Sequence, residues 1–537
     1  MKNIFYPLIA FVSFTFVARA QFTFELMHNY AMQGELRNAP VINNNMIFQG
    51  NEGASGAELW KTDGTSTGTL LVKDINQGIN SSIPEEITQF GGIALFCADD
   101  GTNGRELWRS DGTTGGTMLL KDIHATGSSW PSNFTAFNGK IYFKADDGVN
   151  GVELWVTDGT ILGTTMLKDI NPGSGSSNPE GFTVFNNKLF FAADDGIHNR
   201  ELWVTDGTDA GTQQIIDIYP GNSDSSPKLF IPFSGKLYFT AHDDIHGDEL
   251  WFTDGTASGT AMLLDINPGF WLSGISKIVN YNGKLYFDAN DGTHGRELWT
   301  SDGTAANTII LKDIFVGPNA SGPWGLTVAN NLLFFSADNG IDGTELWTCG
   351  GSAASTNMLK DINANTNTGS NVNYFVVINN KIYFIAEDGT NDRELWVSNG
   401  TIDSTYKIMP SGSTAIGPLN NSMGLGAFNG SLYVFANYNG QDYELWKVTP
   451  GINTSVKENT NLNFDIFPNP FDNQITIQFD NFTQPINYNI TNAFGVLVKS
   501  DKLIGRKNMV DMGQLAAGIY FLKIGNDQND RVKLIKY

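Results

Sequence analysis

Nine tryptophans (Trp60, Trp108, Trp155, Trp203, Trp251, Trp299, Trp347, Trp396 and Trp446) each close a Glu-Leu-Trp triplet, at intervals of 47 to 50 residues. So even a pitch marks one supersecondary unit copied in tandem. It limits the chain to folds in which each unit buries apolar surface against the next.

One unit, residues 182–218, reads as four strands. The apolar runs Phe182–Phe185 and Lys188–Asp194 are joined by Asn186-Asn187, and neighbouring units place Asn138-Gly139 and Asn282-Gly283 there. Such pairs take the positive φ of a two-residue hairpin. A turn over Asp194–Asn199 then leads into "ELWVTD", and "DGTDAGT" leads into "QQIIDI". Four antiparallel strands per repeat is the module of a β-propeller blade, whose two faces both pack against neighbours. Successive strand residues point to opposite faces, so Leu202 and Trp203 can both be large and apolar. The triplet is thus expected to pack blades together, not to bind nine ligands. Its Glu lies on the Trp face, partly buried, and is expected to accept backbone hydrogen bonds from an adjacent blade or turn.

The chain ends favour closure of a ring. The ninth copy, "LYVFANYNGQDYELWKVTPG", has no final strand, whereas "FTFEL" near the start is one strand too many. The surplus strand is expected to complete the last blade and remove its free edge. The fold class is therefore all-β: a closed propeller of about nine four-stranded blades, then a small C-terminal β-sandwich. Eight blades plus a displaced copy, or an open solenoid, are the alternatives.

A hydrophobic content of 41% excludes a disordered chain, and the formal net charge of −23 falls almost entirely on the repeats. Such a surface repels nucleic acid and anionic membranes. The two cysteines, Cys97 and Cys349, lie in distant repeats, so neither a disulfide nor a zinc site is expected. Residues 1–20 read as a signal peptide: Lys2, an apolar run from Ile4 to Val17, and Ala18-Arg19-Ala20 before the cut. No later run reaches membrane-spanning length. Residues 21–451 form the repeat region, 452–463 a polar linker, and 464–537 a second module.

Several features resemble known families. The unit layout resembles a kelch blade. The near-complete copy Glu153-Leu154-Trp155-Val156-Thr157-Asp158-Gly159-Thr160 is similar to the bacterial ELWxxDGT repeat family, over roughly residues 39–450. Departures come late: Cys349 is read as replacing the Asp of one DGT turn and Asn399 as replacing another. The C-terminal module resembles the type A sorting domain of the type IX secretion system, through Pro468-Asn469-Pro470, Phe494-Gly495, Leu515, Gly518-Ile519-Tyr520 and the closing Lys533–Lys536. These resemblances imply a secreted or outer-surface propeller that uses the type IX machinery as a partner.

No nucleophile elbow, HExxH or phosphate-binding loop occurs, so no catalytic residue and no enzyme is expected. His198, His246 and His294 recur at one turn position and read as polar turn residues. The acidic turns holding Asp99, Asp100 and Glu106, and Asp146, Asp147 and Glu153, offer oxygen ligands around glycine, which makes calcium a weak candidate cofactor. Asp and Gly are also ordinary turn formers, and that reading is preferred. Strand order puts these turns and the long inter-blade loops on one rim, with Trp130, Trp271 and Trp324 in the loops. These three are the candidate ligand-binding residues, for a glycan or a protein, although the preferred reading tucks the rings beneath their loops as small satellite clusters. The favoured function is non-enzymatic binding of an extracellular ligand. A propeller-type glycan lyase or hydrolase, and a passive surface structural protein, are the rivals.

Overall fold

The computed structural model describes residues 22–28, 32–221, 223–365, 368–390, 393–410, 424–439, 443–450, 464–479, 485–493, 496–524 and 531–536. The expected signal peptide and linker, and Phe494-Gly495, lie outside the described residues. The chain divides into two compact units, one spanning Phe22–Pro450 and the other containing the C-terminal module.

Among the described residues, Phe22–Pro450 form nine antiparallel sheets. Eight follow one another as 33–73, 85–121, 132–168, 180–216, 228–264, 278–312, 324–360 and 373–407. In the fourth sheet the strands are Glu180–Phe185, Lys188–Asp194, Arg200–Thr205 and Gln213–Ile216, close to the expected parsing. The hairpin Asn-Gly and Asn-Asn pairs have the positive φ their turn requires, for example 48° at Asn138 and 73° at Gly139. The ninth sheet takes its outer strand from the other end of the repeat region. Phe22–Leu26 runs antiparallel to Glu444–Pro450, with Phe22 opposite Pro450 and Leu26 opposite Trp446.

Apolar packing explains two of the three residues in the triplet. Leu154 of the third sheet shares a cluster with Phe191 and Trp203 of the fourth, while Leu202 of the fourth packs with Phe239 of the fifth. Leu therefore faces the following sheet and Trp the preceding one. Phe428, Tyr433, Phe435 and Leu445 of the ninth sheet share a cluster with Met46, Phe48 and Trp60 of the first.

The glutamate is more deeply placed than expected: it is fully buried, not partly so. Glu201 Oε2 accepts the Ile218 N–H (2.8 Å) and the Ser225 hydroxyl (2.7 Å), and Oε1 accepts the Ser225 N–H (3.2 Å). The Ser225 carbonyl then accepts the His242 N–H of the fifth sheet at 2.8 Å. Glu58 with Ser82, Glu106 with Ser129, Glu153 with Ser177 and Glu297 with Ser321 repeat this joint. Each carboxylate thus anchors the loop that carries the chain into the next sheet. Hydrogen bonds to a charged acceptor contribute about 1.5–3 kcal/mol each. Burial nevertheless pushes the Glu153, Glu201 and Glu345 carboxyls up to about 7, and Glu249 to about 8, because desolvation of the charge outweighs these bonds.

A lysine on the outer strand adds a second tie. Lys73, Lys121 and Lys360 donate to the carbonyls of Thr117, Thr164 and Thr405 in the following sheets, at 2.8, 2.7 and 2.9 Å. The same ammonium groups lie over the next tryptophan ring, 5.8 Å from Trp108 in the first case. Lys447 of the ninth sheet reaches the Gly64 carbonyl of the first at 2.9 Å.

The DGT turn closes on itself. Asp206 Oδ1 accepts both the Thr208 N–H (2.9 Å) and its hydroxyl (2.7 Å), and a Cβ on Gly211 would run into that carboxylate. The seventh sheet corrects the sequence register. Cys349 stands where other copies have Thr or Ser, with its Sγ accepting the Gly351 N–H at 3.2 Å, so Gly350 replaces the Asp. A short 3-10 turn capped by Ser352 and Ser355 takes over there. Asn399 does occupy the Asp position, and its Oδ1 accepts the Thr401 N–H at 3.1 Å.

The C-terminal module has a three-stranded and a four-stranded sheet that share one core, including Ile475, Ile477, Tyr488, Ile490, Leu522 and Leu534. Asn469 of the Pro-Asn-Pro turn bonds the last strand twice, donating to the Lys533 carbonyl (2.8 Å) and accepting the Ile535 N–H (2.9 Å). Lys536 caps the Met512, Gly513 and Leu515 carbonyls, and the Tyr520 hydroxyl donates to Ala516 O at 2.7 Å.

Candidate functional site

The rim that carries the long loops also carries the acidic turns, and those acids are engaged by the turns themselves. Asp99 Oδ1 accepts the Gly101 N–H (2.7 Å), and Asp100 Oδ1 accepts those of Thr102 and Asn103 (2.9 and 2.8 Å). Asp146 and Asp147 repeat the pattern with Gly148, Val149 and Asn150. These bonds hold the Asp100 and Asp147 carboxyls below their usual range although burial opposes it. Glu106 and Glu153, the third member of each candidate set, belong to the buried inter-sheet joints. Among the described residues no group of three or more His, Cys, Asp and Glu side chains could hold a metal ion. In three turns histidine takes the place of Asn: His198, His246 and His294 set Nδ1 against Asp195, Asp243 and Asp291 at 2.7, 2.8 and 2.7 Å. The carboxylate partner raises each imidazole above its ordinary value.

The three tryptophans do not tuck under their loops. Trp271 is 73% exposed, and Trp130 and Trp324 are each 58% exposed. Trp130 and Trp271 occupy two different inter-sheet connections, whereas Trp324, expected in a loop, belongs to a strand, and the three differ in setting. Trp130 sits at φ 47°, a region that bulky residues rarely occupy and that costs about 1–3 kcal/mol. The Arg105 guanidinium lies 4.7 Å from its ring, held in turn by Glu85 at 2.7 Å. Trp324 opens the first strand of the seventh sheet, opposite Ser336. Trp271 lies between the exposed Phe270 and Leu272, and lines a depression of about 450 Å³ with Asn267, Asn290, Asp291 and Thr293.

A second surface was not anticipated. The first strands of successive sheets lie side by side. Six of them carry a bulge at one register with a left-handed residue, among them Glu86 (57°), Asn133 (61°), Gly181 (73°) and Leu229 (58°). These four residues line a shallow depression of about 330 Å³, and Glu86 also borders one of about 490 Å³ shared with Glu35, Arg37 and Glu85. Asn133 and Gly181 are residue types that tolerate this backbone, but Glu86 and Leu229 give no sign of it in the sequence.

Comparison with known proteins bears on the two units differently. Residues 465–536 match the family model of the secretion system C-terminal sorting domain. This tail marks a protein secreted to the cell surface or the extracellular space, and it implies contact with the type IX secretion machinery. Among the described residues no helix is long and apolar enough to cross a membrane. No curated protein matches the chain. Among solved structures, the chain is similar to PorZ, an essential bacterial surface component of the type IX secretion system of Porphyromonas gingivalis. Identity is 13% and the TM-score 0.32, over 94% of this chain and 75% of that one. It is also similar to the β-propeller domain of the Trilobed protease from Pyrococcus furiosus, with an open velcro topology (10% identity, TM-score 0.31, 59% of this chain and 95% of that one). A puromycin hydrolase matches at 12% identity and a TM-score of 0.35, over 66% of this chain and 59% of that one.

Proposed function

We propose that the protein is a non-enzymatic binder displayed or released outside the cell, which takes an extracellular glycan or protein on its long-loop rim. The observation that carries this reading is the exposure of Trp130 and Trp271 on inter-sheet loops and of Trp324 at the start of a strand, all held by a rigid array of sheets. We read that array as a closed nine-bladed propeller of ELWxxDGT units. The contact of the ninth sheet with the first and the Lys447 tie to Gly64 support this. The acidic turns serve the fold in this reading and calcium has no part in it, since their carboxylates are already engaged by backbone donors.

A lyase or hydrolase would need a carboxylate pair particular to one place. The acids found here recur from sheet to sheet in the same turn role, which favours binding over catalysis. A passive surface protein would have no reason to expose three large aromatic rings on one rim.

The test is a broad glycan array probed with the full chain and with a Trp130→Ala, Trp271→Ala, Trp324→Ala triple variant, in buffers with and without a calcium chelator. Specific binding lost in the triple variant and indifferent to the chelator is the expected result. Binding retained by the triple variant would overturn the rim reading, and chelator-sensitive binding would restore calcium.

A further inference from the structure

We propose that Trp271 is the stacking face of a binding site for a neutral saccharide, built by the loop between the fifth and sixth sheets together with the acidic turn between the second and third strands of the sixth. The proposal rests on the reading of the rim as a ligand-binding surface and narrows it to one place and one ligand class.

The inter-sheet loops share a frame, so substitutions within that frame stand out. The loop after the third sheet runs Asn171-Pro172-Gly173-Ser174-Gly175-Ser176-Ser177, and the loop after the fifth runs Asn267-Pro268-Gly269-Phe270-Trp271-Leu272-Ser273. Three small residues have become three large apolar ones, and all three are exposed, at 60%, 73% and 55%. Packing cannot account for them, because they bury little surface. Three adjacent exposed apolar side chains are the kind of feature that marks a binding site.

The backbone beneath them is fixed. The Asn267 side-chain amide donates to the Leu272 carbonyl at 3.0 Å, and the Asn267 N–H is held by Glu249 at 3.2 Å. Gly247, at φ 75°, lets the Trp271 carbonyl approach so closely that a Cβ there would meet it at 2.6 Å. The indole is therefore presented from a pinned main chain, which lowers the ordering cost of a ligand.

Beside the ring lies the depression of about 450 Å³, lined by Asn290, Asp291 and Thr293. Its size falls within the range of small-ligand sites, and an apolar ring flanked by a few amide, carboxylate and hydroxyl groups suits a molecule with one apolar face and a hydroxylated edge. His294 and two backbone N–H groups hold Asp291 in a single orientation. A second aromatic run continues from the loop: the Phe270 ring lies 5.5 Å from His242, which lies 5.4 Å from Tyr219. The formal net charge of −23 disfavours uronic or sulfated sugars, so the ligand is neutral.

The test titrates the full chain with neutral hexasaccharides of β-1,4-linked glucose, xylose, mannose and N-acetylglucosamine, followed by calorimetry and tryptophan fluorescence. The wild type, Trp271→Ala and a Trp130→Ala, Trp324→Ala double variant are compared, with melting curves to confirm that all are folded. Saturable binding of at least one hexasaccharide is expected. It should weaken at least about tenfold in Trp271→Ala and stay within about threefold in the double variant. Binding that survives Trp271→Ala but fails in the double variant would overturn this site while leaving the rim reading intact. No binding of any hexasaccharide would overturn the saccharide class. The rim reading would then fall as well only if the glycan array gave no signal and a screen of surface proteins found no partner lost in the triple variant.

Discussion

The interior edge of each inter-sheet loop and its outer tip obey different rules. At the interior edge, glutamate, serine and the strand-end lysine return in sheet after sheet with nearly the same distances, as in Glu58 with Ser82 and Glu297 with Ser321. At the tip the Asn-Pro-Gly frame is kept, yet the side chains change completely: Ser174-Gly175-Ser176 after the third sheet corresponds to Phe270-Trp271-Leu272 after the fifth. Repetition follows from a shared mechanical task, since every joint must satisfy the same buried backbone donors. Departure from it at an exposed tip has no such cause. In this tandem array the positions that repeat serve assembly, and the exceptions at the tips are where binding is proposed.

Breaking a joint should have the largest effect. Glu201→Ala leaves the Ile218 and Ser225 N–H groups without their buried acceptor and is expected to lower stability by about 3 kcal/mol in denaturant unfolding. A loss no larger than that of an exposed glutamate would separate the joint from stability.

The pH dependence sharpens the same comparison. The folded-state carboxyls of Glu153, Glu201, Glu249 and Glu345 lie above their ordinary value of 4.5, at about 7 to 8, so the folded protein binds more protons than the unfolded chain between those values. Their contribution is fully present below about pH 4.5 and is lost as pH rises through about 8. The melting temperature should therefore fall between about pH 5 and pH 8, and the slope should flatten in Glu249→Gln. The turn aspartates act in the opposite sense and at lower pH: Asp63 and Asp111 are held below 3.8 by their Thr partners, and lose that contribution only as pH falls below it. A melting temperature that rises from pH 5 to pH 8 would contradict the assignment of the joints.

Removing a single outer-strand tie should cost less. Lys121→Met keeps much of the apolar stem and loses the bond to Thr164 O, for an expected loss of about 1 kcal/mol.

Much of the architecture was legible because it is periodic. The tryptophan pitch, the hairpin asparagines and the unmatched strand at Phe22 led to the sheet order and to the pairing with Glu444–Pro450. The serine and lysine of the joint recur at the same pitch and could have been read in the same way. Cys349 was misplaced by one residue because "TCGG" matches the turn motif poorly, and a hydrogen bond, not an alignment, settles its register. The exposure of the tryptophans was not legible, since a loop of given composition can fold its ring under or hold it out. Nor was the left-handed bulge at Leu229, a residue type that gives no hint of that backbone.

The repeated residues build the array, and binding is proposed for the exceptional rim residues. Melting and glycan-array binding, measured together on the Trp130→Ala, Trp271→Ala, Trp324→Ala variant, test this division most directly. Stability within about 0.5 kcal/mol per substitution of the wild type, as for surface positions, together with loss of binding, is the expected result. A variant that unfolds early, or one that binds the array as the wild type does, would contradict it.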